Sequence, residues 1–270
     1  MSFAQSITNE DSDAVKQLRV RLDEFYRTTQ DYSDFSKELS RHDHIWAQIV
    51  ARIRELAATG RKVRVLEFGA GRTGFMTALG DLRNSVDFTA QDVTPANLDY
   101  LRGASDRQHI GPLQQLTEPY DIIFSTFVWE HVSDPKATMK HLLSILSPGG
   151  SIFIACPHYD YPGYVPPSAR HYGTLTQYAV SWWLWRQRAK MRNDRDPACF
   201  IHTDPSMFHM KWFRDSDAIH WVSTQDFAKL APGCDVTHLT IPGSGLRNWV
   251  WRTFLLAFVR ITKPAQGARS

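Results

Sequence analysis

The sequence predicts an α/β protein built on a doubly wound, mostly parallel sheet. Short apolar runs suited to strands alternate with helix-length amphipathic stretches between residues 60 and 157. One of those runs, YDIIFSTF at 120–127, is almost continuously apolar, as expected of a strand covered on both faces. The glycine-rich turn in VLEFGAGRTGF joins the first run to a helix, where open α/β sheets hold their ligands.

The elements follow in order. Residues 1–10 read as frayed, and 11–27 and 40–58 as helices, the second with Ile49, Ile53 and Leu56 at helical spacing and Gly60 as its stop. RKVRVLEF is the first strand and FMTALGDLR the helix after the turn. VDFTAQD is the second strand; Thr94 then caps a helix that has Pro95 at its first position. A short third strand lies near His109 and Ile110, and 120–127 is the fourth. DPKATMKHLLSIL is an amphipathic helix stopped by Ser147-Pro148-Gly149-Gly150, and SIFIACP is the fifth strand. The rhythm breaks after Pro157. Residues 158–173 form a Pro-, Gly- and Tyr-rich loop, 174–192 a helix, and 193–221 an irregular stretch. Ser223-x-x-Asp226 resembles a capping box before a short helix, and DVTHLTI alternates as a strand. These readings divide the chain into an N-terminal helical segment (1–59), a core (60–157 and 223–264) and an inserted lid or acceptor region (158–222).

Composition excludes several functions. The net charge of +3 is too mild for a nucleic-acid protein. Cys156, Cys199 and Cys234 are odd in number and far apart, against a disulfide framework and in favour of a reduced, cytoplasmic protein. The first residues show no secretory signal, and no run approaches the roughly 18 apolar residues needed for a membrane span. His202-x-Asp204 with His209 matches no standard zinc spacing, so no metal site is expected.

Gly69-x-Gly71-x-x-Gly74 has the spacing of a dinucleotide site, but the spacing alone implies only close backbone approach to a ligand at a helix start. Glu67 decides against a nicotinamide cofactor. A carboxylate two residues before Gly69 suits a ligand with a cationic amino group and repels pyrophosphate. Asp92, ending the next strand, is placed to accept from ribose hydroxyls.

Four motifs in order then carry a family resemblance over residues 60–157. They are Glu67-Phe68-Gly69-Ala70-Gly71, Asp92-Val93-Thr94-Pro95, Tyr120 to Ser125 leading into Trp129-Glu130-His131-Val132, and Leu146-Ser147-Pro148-Gly149-Gly150 with Pro157. Together they resemble class I S-adenosylmethionine-dependent methyltransferases. The resemblance implies a Rossmann-like, seven-stranded sheet whose last strand is antiparallel, here at 254–261 beside the fifth. It implies S-adenosylmethionine as cofactor. Glu67 would meet its amino group, Phe68, Gly69, Ala70, Gly71 and Gly74 would form the turn beneath it, and Asp92 would hold the ribose. Val93 would pack on adenine, and Ser125, Thr126 and Phe127 would line the floor. Two departures stand out: Thr73 replaces a common third glycine, and Ile110-Gly111-Pro112-Leu113 offers no acid to the adenine amino group.

The overall pattern, including His220-Trp-Val-Ser-Thr-x-x-Asp-Phe before a strand, resembles bacterial methyltransferases of glycan or secondary-metabolite modification. That resemblance implies a small-molecule or glycan acceptor with a hydroxyl; the sequence also lacks an Asn/Asp-Pro-Pro-Tyr amine motif and a Pro-Cys nucleophile. The candidate bases are His131, His158, His171, His202, His209 and His220, of which His131, just after the fourth strand, and His171 are put forward. The Trp182–Arg192 stripe reads as a solvated helix with a buried tryptophan face. Two other readings remain: an NAD(P)-dependent oxidoreductase, which would need a Tyr-x-x-x-Lys pair that the chain lacks, and a non-catalytic nucleotide-binding module. WVWRTFLLAFVRITKP can be read as a membrane-surface helix, with Arg247, Arg252, Arg260 and Lys263 toward lipid, or as a short helix followed by the last strand. The strand, at about Phe254–Ile261, is expected because a membrane helix would leave a hydrophobic sheet edge exposed, and no stable membrane insertion is expected. The sequence does not define an oligomeric state.

Overall fold

The structure, a computed structural model, describes residues 6–8, 12–30, 32, 36–37, 39–241 and 246–265. Seven strands form one sheet: β1 (Val63–Phe68), β2 (Val86–Asp92), β3 (Arg107–Ile110), β4 (Tyr120–Thr126), β5 (Leu146–Pro157), β6 (Asp235–His238) and β7 (Leu256–Thr262). Their spatial order is β6-β7-β5-β4-β1-β2-β3. Strands β1 to β5 run parallel, and β7 is antiparallel to both β5 and β6. Helices α1 (Asp13–Thr28), α2 (Leu39–Ala57), α3 (Phe75–Leu79), α4 (Leu98–Ala104), α5 (Pro135–Ile145), α6 (Thr174–Met191), α7 (Asp226–Leu230) and α8 (Leu246–Val250) complete it.

Alternate side chains of the parallel strands bury on opposite faces. Val63, Val65, Ile122 and Phe124 pack with Trp46, Ile49 and Ile53 of α2, whereas Leu66, Phe68 and Ile123 pack with Met139 and Leu142 of α5. This double coverage is why YDIIFSTF carries no polar alternation. Helix α1 packs elsewhere. Its Val15, Leu18 and Leu22 contact Ile201 and Ile219, and Ile7 pairs with His202 across a two-residue ladder. Residues 6–8 are therefore paired, not frayed; the rest of 1–10 lies outside the described residues apart from those three.

Four local expectations are corrected. Helix α3 stops at Leu79 because Gly80 takes φ +53°, and the chain continues as a 3-10 turn. Strand β5 begins at Leu146: Ser147 to Gly150 form an irregularity within it, with the pairing shifting between Tyr120 and Ile122. No capping box forms at α7. Asp226 instead accepts from the amides of Ala198 and Cys199 at 2.9 and 3.3 Å, and the Ser223 hydroxyl donates to Asp160 at 2.6 Å. On α6, Val180, Ser181, Leu184 and Arg188 are buried and Trp183 packs inward on Phe200, while Trp182 and Trp185 face solvent, so the tryptophans do not form one buried face.

Helix α8 and one π-helical turn lead into β7, whose Phe258 pairs with Ala155 while its Ile261 pairs with Val236. The expected strand is therefore present but shifted, at Leu256–Thr262, because Phe254 and Leu255 belong to the π-helical turn, and no helix among the described residues is long and apolar enough to cross a membrane. The Arg247 side chain lies outside the described residues. Deleting residues 254–270 strips β5 and β6 of their shared neighbour and should leave the protein in the pellet after lysis. A soluble, folded truncation that lost only liposome binding would overturn the strand's structural role.

Candidate functional site

Parallel pairing places Glu67 beside Ala90 and Phe124, so the ends of β1, β2 and β4 share one edge. Glu67 is fully buried there. The chain leaves β1 through Gly69 and Gly71, at φ +63° and +56°, a left-handed backbone that side chains resist by about 1–2 kcal/mol. Gly69 is required for a second reason. A Cβ there would lie 2.5 Å from a methyl of Val128, which crosses over the turn from the end of β4. Ala70 is buried, and Gly74 sits at φ −99° as the cap residue of α3, without left-handed strain. Thr73 stands where a glycine is expected, and its hydroxyl accepts from the Phe75 amide at 3.1 Å, a local turn that leads into α3.

The end of β2 ties this turn down. The Gln91 side chain accepts from the Gly69 amide at 3.1 Å and donates to the Gly111 carbonyl at 2.8 Å. Asp92 is nearly buried, its two oxygens accepting from the amides of Gly71 at 2.6 Å and Thr94 at 3.0 Å. Beside it Val93 is 47% exposed, its apolar side chain open at the strand end. Ser125 and Thr126 are buried with hydroxyls that find no hydrogen-bond partner among the described residues. Phe127 takes φ +56° and stacks on Trp251, their centroids 6.1 Å apart. One edge therefore gathers Glu67, the glycine turn, Asp92, Val93 and residues 125–127.

The candidate bases separate. His131 contacts Asp217, Nδ1 lying 3.2 Å from its carboxylate. Burial alone would depress this imidazole, but the Asp217 charge and hydrogen bond win and raise it to about 10. His131 is consequently an imidazolium at neutral pH and has no lone pair to offer as a base. Asp217 also accepts from Tyr26 at 2.6 Å and Tyr32 at 2.5 Å, and despite full burial is held down to about 2 by these donors and His131. His171 contacts Tyr172, His202, Asp204, Ser206 and His209, all within 158–222. Burial, followed by the nearby His209, lowers its pKa. His220 is different: it is buried beside Trp129 and Glu130, and burial lowers it to about 4. Its Nδ1 lies 3.1 Å from the Trp129 carbonyl, which only accepts, so Nδ1 holds the proton and Nε2 a lone pair without a partner among the described residues.

Sequence reasoning missed Gln91, Val128, Asp217, Tyr26 and Tyr32. Gln91 left a signal, a polar side chain inside an apolar strand; the others become neighbours only through the fold.

Comparison with known proteins follows the same lines. No curated protein matches the chain in sequence. Among solved structures, the plantazolicin methyltransferase BpumL in complex with SAH is 12% identical, with 93% of this chain and 97% of that chain covered at a TM-score of 0.52. The YcgJ protein from Bacillus subtilis is 12% identical, covering 83% of this chain and 99% of its own, at 0.50. The CurJ carbon methyltransferase, also 12% identical, covers 94% of this chain and 62% of its own, at 0.50. At such identities the likeness is one of fold. The sequence itself matches the family model for a methyltransferase domain over residues 39–202, a stretch that includes α2, β1 to β5 and every residue of the shared edge. This chain belongs to the methyltransferase-domain family, as an enzyme of the class I, S-adenosylmethionine-dependent kind.

Proposed function

We propose that this methyltransferase modifies a hydroxyl on a small-molecule or glycan acceptor, in the cytoplasm. The observation that carries the cofactor side is the pair of acids, Glu67 and Asp92, ending neighbouring strands around a left-handed glycine turn. The turn fits a ligand that needs close backbone approach, since a Cβ at Gly69 would already collide with Val128. Glu67 would accept from the amino group, Asp92 from the ribose hydroxyls, and the exposed Val93 would cover the adenine face. Phe68 to Gly71 and Gly74 would line the turn, with Ser125, Thr126 and Phe127 beneath. When bound, S-adenosylmethionine supplies an electrophilic methyl group on a sulfonium.

A hydroxyl acceptor must lose a proton as it is methylated, so a neutral base is needed. His220 meets that requirement better than His131 or His171, because its Nδ1–H is committed to Trp129 and its Nε2 carries the lone pair. The 158–222 segment, with α1 packed on it, would shape the acceptor's surroundings.

The test supplies S-adenosylmethionine with a labelled methyl group and panels of hydroxyl and amine acceptors, and locates the label by mass spectrometry and NMR. O-methylated product is expected; label only on nitrogen or carbon overturns the acceptor reading. His220→Ala should lower kcat about 10²- to 10⁴-fold with S-adenosylhomocysteine affinity unchanged. An unchanged kcat removes His220 as the base.

A further inference from the structure

His171, Asp204 and His209 come from two loops of the 158–222 segment and converge outside the strand-end site. His171 follows the 3-10 turn Pro167–Ala169, and Asp204 and His209 flank the turn Ser206–Phe208. One ligand-capable atom from each lies within 4.8 Å of the others. His209 Nε2 is 2.6 Å from one Asp204 oxygen and His171 Nε2 is 3.9 Å from the other, while the two rings stack with centroids 4.4 Å apart.

The surrounding hydrogen bonds set the tautomer of His171. Ser206 has a single hydroxyl proton and donates it to the Ser168 carbonyl at 2.8 Å. The 3.1 Å contact between the same hydroxyl and His171 Nδ1 then requires Nδ1 to be the donor. Nε2 therefore holds a lone pair, buried, without a hydrogen-bond partner among the described residues. It lies 3.9 Å from an Asp204 oxygen, too long for a hydrogen bond even from a proton placed there. An imidazole whose far nitrogen donates to a fixed oxygen is the arrangement in which histidines bind metal ions.

We propose that His171, Asp204 and His209 form a binding site for a borderline first-row divalent cation, of which zinc is the type. Two imidazoles and one carboxylate are the ligand set of zinc, cobalt and nickel, whereas calcium and magnesium take mainly oxygen. A tetrahedral ion with bonds near 2.1 Å separates its ligand atoms by about 3.4 Å. His209 Nε2 and His171 Nε2 face different oxygens of Asp204, at 2.6 and 3.9 Å, so the exposed His209 ring must turn out of its stack on His171, and the Asp204 carboxylate with it, for all three to meet one ion. His202, adjacent in sequence spacing, is excluded: its nitrogens contact Tyr172 at 3.1 Å and Ser168 at 3.2 Å. The ion would join the 167–171 loop to the 204–209 loop.

The experiment uses the full chain, stripped with a chelator and titrated with Co²⁺, whose visible absorption reports nitrogen and oxygen ligation, followed by displacement with Zn²⁺. One Co²⁺ per chain with bleaching by one equivalent of Zn²⁺ is expected. His209→Ala and Asp204→Asn should abolish the bands, Ser206→Ala should weaken binding about 10- to 100-fold, and His238→Ala, an exposed histidine on β6, should bind as wild type. Should His209→Ala fold poorly, Asp204→Asn decides, since it keeps the side chain's shape. Absence of stoichiometric Co²⁺ binding, or equal binding by wild type and Asp204→Asn, overturns the site. These readouts are independent of methyl transfer.

Discussion

Asp217→Ala should cost about 3–5 kcal/mol of folding stability, the expected loss when one member of a buried ion pair is removed and its partner left behind. The His131 imidazolium would lose its counter-charge and Tyr26 and Tyr32 their acceptor, all in one buried cluster that joins α1 to the end of β4. The same pair predicts the pH dependence of the wild type. His131 is raised to about 10, above the ordinary value near 6.5, so its contribution is whole below about pH 6.5 and drains away as pH climbs toward 10. Asp217 is lowered to about 2, so its contribution holds above roughly pH 4 and is lost as pH falls toward 2. Urea unfolding at a series of pH values should therefore show a plateau between about pH 4 and 6.5, with an alkaline decline that is blunted in Asp217→Ala. A wild-type stability that is flat from neutrality to pH 10 would mean that His131 is not charged in the folded protein.

Asp92→Ala should weaken S-adenosylhomocysteine binding by about tenfold to a hundredfold, equivalent to roughly 1.5–3 kcal/mol of charge-assisted hydrogen bonding. The structure adds a second contribution, because Asp92 also orders the amides of Gly71 and Thr94 that shape the turn. Asp92→Asn separates the two: it keeps an oxygen for one amide but removes the charge, and should fall between wild type and Asp92→Ala in affinity. Calorimetry, with melting curves to confirm folding, makes the measurement. If folded Asp92→Ala binds as tightly as wild type, the ribose assignment is wrong.

The part of this enzyme that sequence exposes is the part that is local. The acid–glycine–acid edge is written within residues 67 to 92, and the need for left-handed glycines at 69 and 71 follows from one turn. Strand β7 was readable because its apolar run ends at Lys263-Pro264, and the β-strand reading outweighed the membrane one. What stayed hidden depends on distant segments. Tyr26, Tyr32, His131 and Asp217 are scattered along the chain, and nothing in their spacing announces a shared carboxylate. The same holds for His171, whose approach to Asp204 and His209 leaves no mark in their spacing along the chain. Local motifs also misled where tertiary partners outbid them: Asp226 abandons the capping box because two backbone amides of the 198–199 segment reach it first.

The position of β7 bears on how the chain folds during synthesis. The strand that joins β5 to β6 is the last of the seven to leave the ribosome, and its partners across the ladder, such as Phe258 with Ala155, are distant in sequence. Until it emerges, a nascent chain can assemble β1 to β5 but must hold β6 without its ladder. Closing that long loop comes late and is slow, because the entropy of ordering the intervening residues is spent before any pairing rewards it. Expression conditions that slow elongation or supply holdase chaperones should then raise the yield of native enzyme more than changes aimed at the cofactor edge, whose strands and turns form from neighbouring sequence.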